Sequence, residues 1–222
     1  MKGNMTLIIG DIHGCYDELQ MLLDESGISD NETIIALGDL FDRGPYPEKV
    51  FEFFDNNPNR YSIRGNHEQH HLNAVRQLPQ RITRHKFGDN YRNALGYMAM
   101  LPLYMKTKEA LLVHGMYEAG IKLKKQKRGV LLGFPSQERS LAEKYPVPWY
   151  ELYDRKKPII VGHRDYTGLM QPFIIEGRFY AIDTRSVFGG SLTAIKLPEW
   201  KIVSVPSRAN YAETVPAEFL MP

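Results

Sequence analysis

The chain has 222 residues, 43% of them hydrophobic and 24% charged, with a formal charge of +2. This is enough chain to bury a core as one domain over residues 1–222, and too little charge to argue by itself for nucleic acid or a membrane surface. No run approaches the ~20 apolar residues of a membrane span, Met5 to Ile9 is too short for a signal peptide, and the lone Cys15 excludes an intrachain disulfide. The expectation is a cytoplasmic protein with no membrane partner and no stable nucleic-acid partner.

The first third alternates between strand and helix patterns. Thr6–Ile9 reads as a buried strand and 16–24 as an amphipathic helix with Leu19, Leu22 and Leu23 on one face. Residues 33–37 form a second strand, and 45–54 a second helix with proline near its first turn. Arg60 to Ile63 is a third strand, and Glu68 to Leu78 a third helix. Such alternation implies parallel crossovers. Ala110 to Val113 and Ile159 to Val161 are two more buried strands, separated by a variable cap over about 116–158. Arg178–Ile182, Leu192–Leu197 and Lys201–Val205 read as an antiparallel meander, and the tail from Ser207 has no clear period.

Five of these apolar runs stop at a glycine beside a metal-binding side chain. The endings are Gly10-Asp11-Ile12-His13-Gly14, Gly38-Asp39-Leu40-Phe41-Asp42-Arg43-Gly44, Gly65-Asn66-His67-Glu68, His114-Gly115 and Gly162-His163. In parallel α/β arrangements ligands gather beyond the carboxyl ends of strands, so these side chains converge on one edge. Taken singly, Asp11 is as good a helix cap, Asn66 a turn residue and His163 a core histidine. Taken in order, carboxylates, imidazoles and an amide make a mixed oxygen and nitrogen set that suits Mn²⁺, Fe or Zn²⁺, with Ni²⁺ also acceptable. The set exceeds what one open site needs and suits two ions sharing a carboxylate.

In those motifs the chain resembles the PPP-type metallophosphoesterases, the Ser/Thr protein phosphatases and their small bacterial and phage relatives. The resemblance spans roughly residues 5–206 and includes the closing stretch Ile182-Asp183-Thr184 and Val187 to Thr193. It implies a calcineurin-like α/β/β/α sandwich with mixed sheets and the metal site at the strand ends. It further implies that Asp11, His13 and Asp39 hold one divalent ion, with Mn²⁺ the leading expectation. Asp39 would bridge to a second, completed by Asn66, His114 and His163. His67 matches the family's general acid, Asp42 the carboxylate that orients it, and Arg43 and Arg64 the phosphate-binding arginines. Met116, Arg164-Asp165 and Arg185 depart from the family pattern in ways that alter the pocket wall but touch no ligand. Arg164 and Arg185 add positive charge, and one of them is expected to contact a second phosphate or an acidic group.

Other residues carry plainer expectations. His70 and His71 read as surface or packing residues on the third helix, and His85 as a loop residue. Cys15 reads as a small, partly buried hydrophobe. Lys122 to Arg128 is a basic segment able to steer a polyanion, and Trp149 and Tyr150 pack the cap rather than stack on a base. The leading expectation is a two-metal phosphatase acting on phosphomonoesters, of the Ser/Thr protein phosphatase kind. The runner-up is a symmetrical dinucleoside tetraphosphate hydrolase, and the third is a catalytically silent binding module.

Overall fold

The structure, a computed structural model, describes residues 5–216 and Phe219. Strands β1 (Thr6–Ile9), β2 (Thr33–Ala36) and β3 (Arg60–Ser62) alternate with helices α1 (Tyr16–Ser26) and α2 (Pro47–Asp55), as the apolar periodicity predicts. The three strands pair in parallel, Ile8 opposite Ile35 and Ala36 opposite Ser62. α1 stops at Gly27, whose φ of 61° is the left-handed conformation that closes a helix end.

The third helix departs from expectation. It begins at Asn66 and ends early, α3 being Asn66–Leu72, and two helices follow that the sequence reading lacks, α4 (Leu78–Phe87) and α5 (Tyr91–Met100). Pro79 supplies the reason: without an N–H it cannot sit inside a helix, but it starts one well. A short strand, β4 (Tyr104–Lys106), leads to β5 (Leu111–Val113). Then come α6 (Arg128–Leu131), α7 (Pro135–Lys144), β6 (Ile159–Val161), β7 (Phe173–Ile175), β8 (Phe179–Ala181), β9 (Ser191–Leu197) and β10 (Lys201–Pro206).

The expected meander is split between two sheets. The first has the order β10-β9-β1-β2-β3 and the second β4-β5-β6-β8-β7. Only β9 and β10 pair with each other, while β8 lies parallel to β6 and antiparallel to β7. Alternation along a strand says which residues share a face, not which sheet the strand joins.

The faces sort into four layers. Leu7, Ile9, Ile34 and Ala36 face Leu19, Leu22, Val50, Phe51, Phe87 and Met98 of the helices. Their neighbours Ile8 and Ile35 point the other way, packing with Leu112, Ile160, Tyr180 and Ile182 between the sheets. The outer face of the second sheet is roofed by Tyr117, Val130, Leu131, Leu141, Trp149 and Tyr153, all from segment 116–158. That segment is therefore largely the fourth layer, and Trp149 packs edge-on to Phe179 at 5.3 Å. The architecture is an α/β/β/α sandwich. No described helix is long and apolar enough to cross a membrane.

Candidate metal centre

The turns after β1 and β2 lock together through their backbones: His13 N–H donates to Asp39 O at 2.8 Å and Gly14 N–H to Leu40 O at 2.7 Å. His13, Asp39, Arg43 and His163 all have φ between 50° and 79°, a region that side chains rarely adopt and that costs about 1–3 kcal/mol each. Concentrated strain of this kind marks a site held by its surroundings. Glycines make the room. A Cβ on Gly65 would run into the Asp39 carboxylate, one on Gly162 into that of Asp11, and one on Gly133 into the His163 ring.

Asp39 sits at the middle. Its Oδ2 lies 3.7 Å from His13 Nε2, 3.5 Å from His114 Nε2 and 4.0 Å from His67 Nε2. Two groups result, His13–Asp39–His67 and Asp39–His114–His163, with ligand atoms within 4.8 Å of one another. Asn66 Oδ1 joins the second, 2.9 Å from His114 Nε2 and 3.0 Å from His163 Nδ1. Asp11 is buried beside them, but its carboxylate accepts the His163 backbone N–H at 3.0 and 3.1 Å. The ordered set of the sequence is thus brought together, with His67 closer than Asp11 to the first group.

The electrostatics suit cations. Burial, then Asp183 and Asp39, pushes the Asp11 pKa well up. Burial lowers His13, assisted by His67 and Arg43, and takes His163 down to about 3, assisted by His114. Neutral imidazoles are the form that ligates metal. His13 Nε2, the nitrogen turned toward Asp39 Oδ2, belongs to a buried ring that burial keeps neutral. Clustered buried carboxylates, imidazoles and an amide carbonyl are hard-to-borderline donors, so two divalent ions fit the residues present.

His67 behaves oppositely. Burial would lower its pKa, yet Asp39 and the hydrogen bond with Asp42 raise it. Asp42 is fully buried, and hydrogen bonds from His67 and His71 hold its pKa well down against the effect of burial. Asp42 Oδ2 lies 2.6 Å from His67 Nδ1, and Oδ1 lies 2.8 Å from His71 Nε2 and 2.6 Å from Thr83 Oγ1. Gln80 Nε2 also donates to Asp42.

The chain that builds this geometry is matched over residues 5–183 by the family model for calcineurin-like phosphoesterases. The chain belongs to the calcineurin-like phosphoesterases. It is a metal-dependent phosphoester hydrolase. A bis(5′-nucleosyl)-tetraphosphatase PrpE [asymmetrical] of Halalkalibacterium halodurans is 32% identical to it, covering 90% of this chain and 93% of the relative. A crystal structure described as a candidate diadenosine tetraphosphatase aligns with a TM-score of 0.77 at 21% identity, over 93% of this chain and 95% of its own. A Ser/Thr phosphatase from Saccharomyces cerevisiae with similarity to human phosphatase PP5 aligns at 0.60 and 15% identity, over 92% and 80%. Those two likenesses concern the fold.

In this calcineurin-like phosphoesterase the arginines separate. Arg43 Nη1 lies 3.2 Å from His13 Nε2, and its guanidinium stands 5.3 Å above the Phe188 ring. Arg185 stacks on the same ring at 3.9 Å, so the two converge at the edge of the site. Arg64 turns away, giving Nη1 to Gln69 Oε1 at 3.1 Å and Nη2 to Ala99 O at 2.7 Å. Arg164 pairs with Glu138 and lies 5.4 Å over Tyr166.

Several side chains were misread or passed over. His71 is the packing rather than the surface residue of its two readings, buried against Asp42, and its place four residues after His67 puts it on the same helix face. His85 lies on α4 rather than in a loop. Thr83 and Gln80 come from that same unforeseen helix, so no local signal marked them. Glu68 accepts the backbone N–H groups of Asp39 at 2.9 Å, Leu40 at 2.8 Å and Gly65 at 2.8 Å, tying two motif turns together. Cys15 is buried, and burial pushes its pKa up, as a small hydrophobe requires.

Proposed function

We propose that this phosphoesterase hydrolyses dinucleoside tetraphosphates, cutting asymmetrically to a nucleoside triphosphate and a nucleoside monophosphate. The protein-phosphatase reading that came first on sequence yields to the runner-up, and the symmetrical cut yields to the asymmetrical one carried by the relatives' name. The observation that carries the reading is a cavity of about 410 Å³ lined by Tyr145, Trp149, Tyr150 and Tyr166 together with Arg164, the residue that follows His163 in the chain and pairs with Glu138. Aromatic rings beside an arginine suit a nucleoside and its first phosphate, whereas a phosphoprotein needs an open, shallow groove.

Asp11, His13 and Asp39 would hold one ion and Asp39, Asn66, His114 and His163 the other, with Mn²⁺ best suited to the donor set. Bound there, two cations supply a water acidic enough to attack phosphorus near neutral pH. Arg43 and Arg185 bind the phosphoryl oxygens as planar, always-charged donors. Arg64, held by Gln69 and Ala99, assists only if it swings free. His67 Nε2 donates a proton to the departing phosphate oxygen, while Asp42 holds Nδ1–H and so fixes the tautomer and ring plane.

The test is product analysis with Mn²⁺-loaded protein on diadenosine tetraphosphate, a phosphoserine peptide and a phosphotyrosine peptide. ATP and AMP in equal amounts, with kcat/KM for the dinucleotide well above both peptides, is the expected result. Two ADP per substrate would refute the asymmetrical cut. A faster phosphopeptide would refute the substrate class.

A further inference from the structure

Behind the His67–Asp42 pair lies a second cavity, of about 420 Å³, among α3, α4 and α5. Its walls carry Arg76, Arg81, Arg84 and Arg92, and its inner end is made by His71 and Gln80. Among the described residues none of the four arginines lies within ion-pair distance of a carboxylate, although arginines elsewhere do, such as Arg208 with Asp17 at 2.8 Å. Rings position two of them instead: Arg84 stands 5.4 Å over Tyr91 and Arg81 5.7 Å over Phe219. Four guanidinium groups around one concavity repel one another, and an anion entering it removes that repulsion. Guanidinium forks match phosphoryl oxygens in charge and in planar geometry.

The cavity is separate from the metal centre yet mechanically joined to it. Asp42, with no exposed surface, stands between them. His71 is 4% exposed and spans the gap: its Nδ1 lies 2.9 Å from Tyr91 Oη on the cavity side and its Nε2 2.8 Å from Asp42 Oδ1 on the other. Gln80, 3% exposed, makes the second link through its amide to Asp42. A ligand that shifts Tyr91, His71 or Gln80 therefore shifts the carboxylate that fixes the His67 ring.

We propose that this arginine cavity is a regulatory site for an anion carrying two or more phosphoryl groups, and that its occupancy alters turnover through His71, Gln80 and Asp42. The free nucleoside triphosphate and the bare inorganic polyphosphate share the recognised chemistry. The inference stands on the cavity and the Asp42 contacts, so it holds whichever phosphoester is the substrate.

The test uses Mn²⁺-loaded protein turning over p-nitrophenyl phosphate at fixed free Mn²⁺, titrated with inorganic tripolyphosphate or with ATP. Wild type is compared with Arg81→Ala/Arg84→Ala/Arg92→Ala, whose sites are exposed and outside the catalytic machinery. In wild type, kcat should change by about fivefold or more on saturation, as coupled sites do. In the variant that change should need at least about tenfold more anion for each arginine lost, the worth of a charge-assisted bond. Competition at the metal centre, seen as a rise in KM, should persist in both. Equal responses to tripolyphosphate and ATP mean that the phosphate chain alone is read, and a response to ATP alone means that the nucleoside contributes. Identical titrations of wild type and variant would overturn the site. Two binding equivalents by calorimetry with no change in kcat would overturn its regulatory role.

Discussion

Replacing Glu68 by glutamine probes the geometry of the centre without touching a candidate ligand. The Glu68 carboxylate is fully buried and accepts three backbone N–H groups, two on Oε2 and one on Oε1. Burial and the nearby Asp39 raise its pKa, while the Leu40 and Gly65 amides oppose them. In the glutamine variant the carbonyl can keep Asp39 and Gly65, but the amide group then faces the Leu40 N–H, donor against donor. Two bonds weaken from charge-assisted to neutral, about 1 kcal/mol each, and one is lost with a buried donor stranded, about 1–3 kcal/mol more. The total is about 3–5 kcal/mol, a large part of the 5–15 kcal/mol that holds a typical domain. For a chain of this size the melting temperature should fall by about 10 °C, read by circular dichroism with and without Mn²⁺. Turnover should fall too, because the two weakened bonds are those that place Asp39 and open α3 at Gly65, and the released amide, that of Leu40, is Asp39's neighbour. A melting point within about 2 °C of wild type, with full activity, would refute the reasoning.

Three further outcomes follow from the same geometry. His67→Asn should lower turnover by ~10²–10⁴ for poor leaving groups and less for an aryl phosphate, with metal content retained; equal losses on both would mean that His67 is not a proton donor. Adding Mn²⁺ to chelator-treated protein should raise the melting temperature, by about 2.7 kcal/mol of stabilisation at 100 times Kd, because buried Asp11, Asp39 and Asp183 lose their mutual repulsion. No shift would argue that the centre does not load. Glu118 is held below the ordinary carboxylate range first by the hydrogen bond from Lys144. A depressed carboxylate stabilises above its unfolded pKa, about 4.3, and loses that contribution as pH falls through its folded value. Gln126 accepts the Glu118 backbone N–H at 3.0 Å and donates to its carbonyl at 2.8 Å, so proteolysis within 122–128 should accelerate on acidification in wild type, and Lys144→Met should be cleaved at the wild-type low-pH rate already at pH 7.

Much of the centre was legible because its determinants are local. A metal motif needs a ligand beside a glycine at a strand end, and each such pair lies within a few residues, so Asp39, Asn66, His114 and His163 could be gathered from order alone. The first three strands followed from apolar periodicity for the same reason. Reading failed wherever a partner was remote. Asp42 is held by Thr83 and Gln80 from a helix that weak periodicity concealed, and β8 joined a sheet that its own pattern could not name.

The sequence by itself determined the reaction class, since the order and chemistry of the candidate ligands survive any rearrangement of what lies between them. Tertiary structure decided how the side chains are aimed: Asp11 toward the His163 amide, Arg64 away from the centre, Arg185 toward it, His71 against the Asp42 carboxylate. It also decided which empty spaces exist, the aromatic cavity at Arg164 and the arginine cavity behind Asp42. Direction and empty space are properties of packing between segments far apart in the chain, which no local pattern encodes.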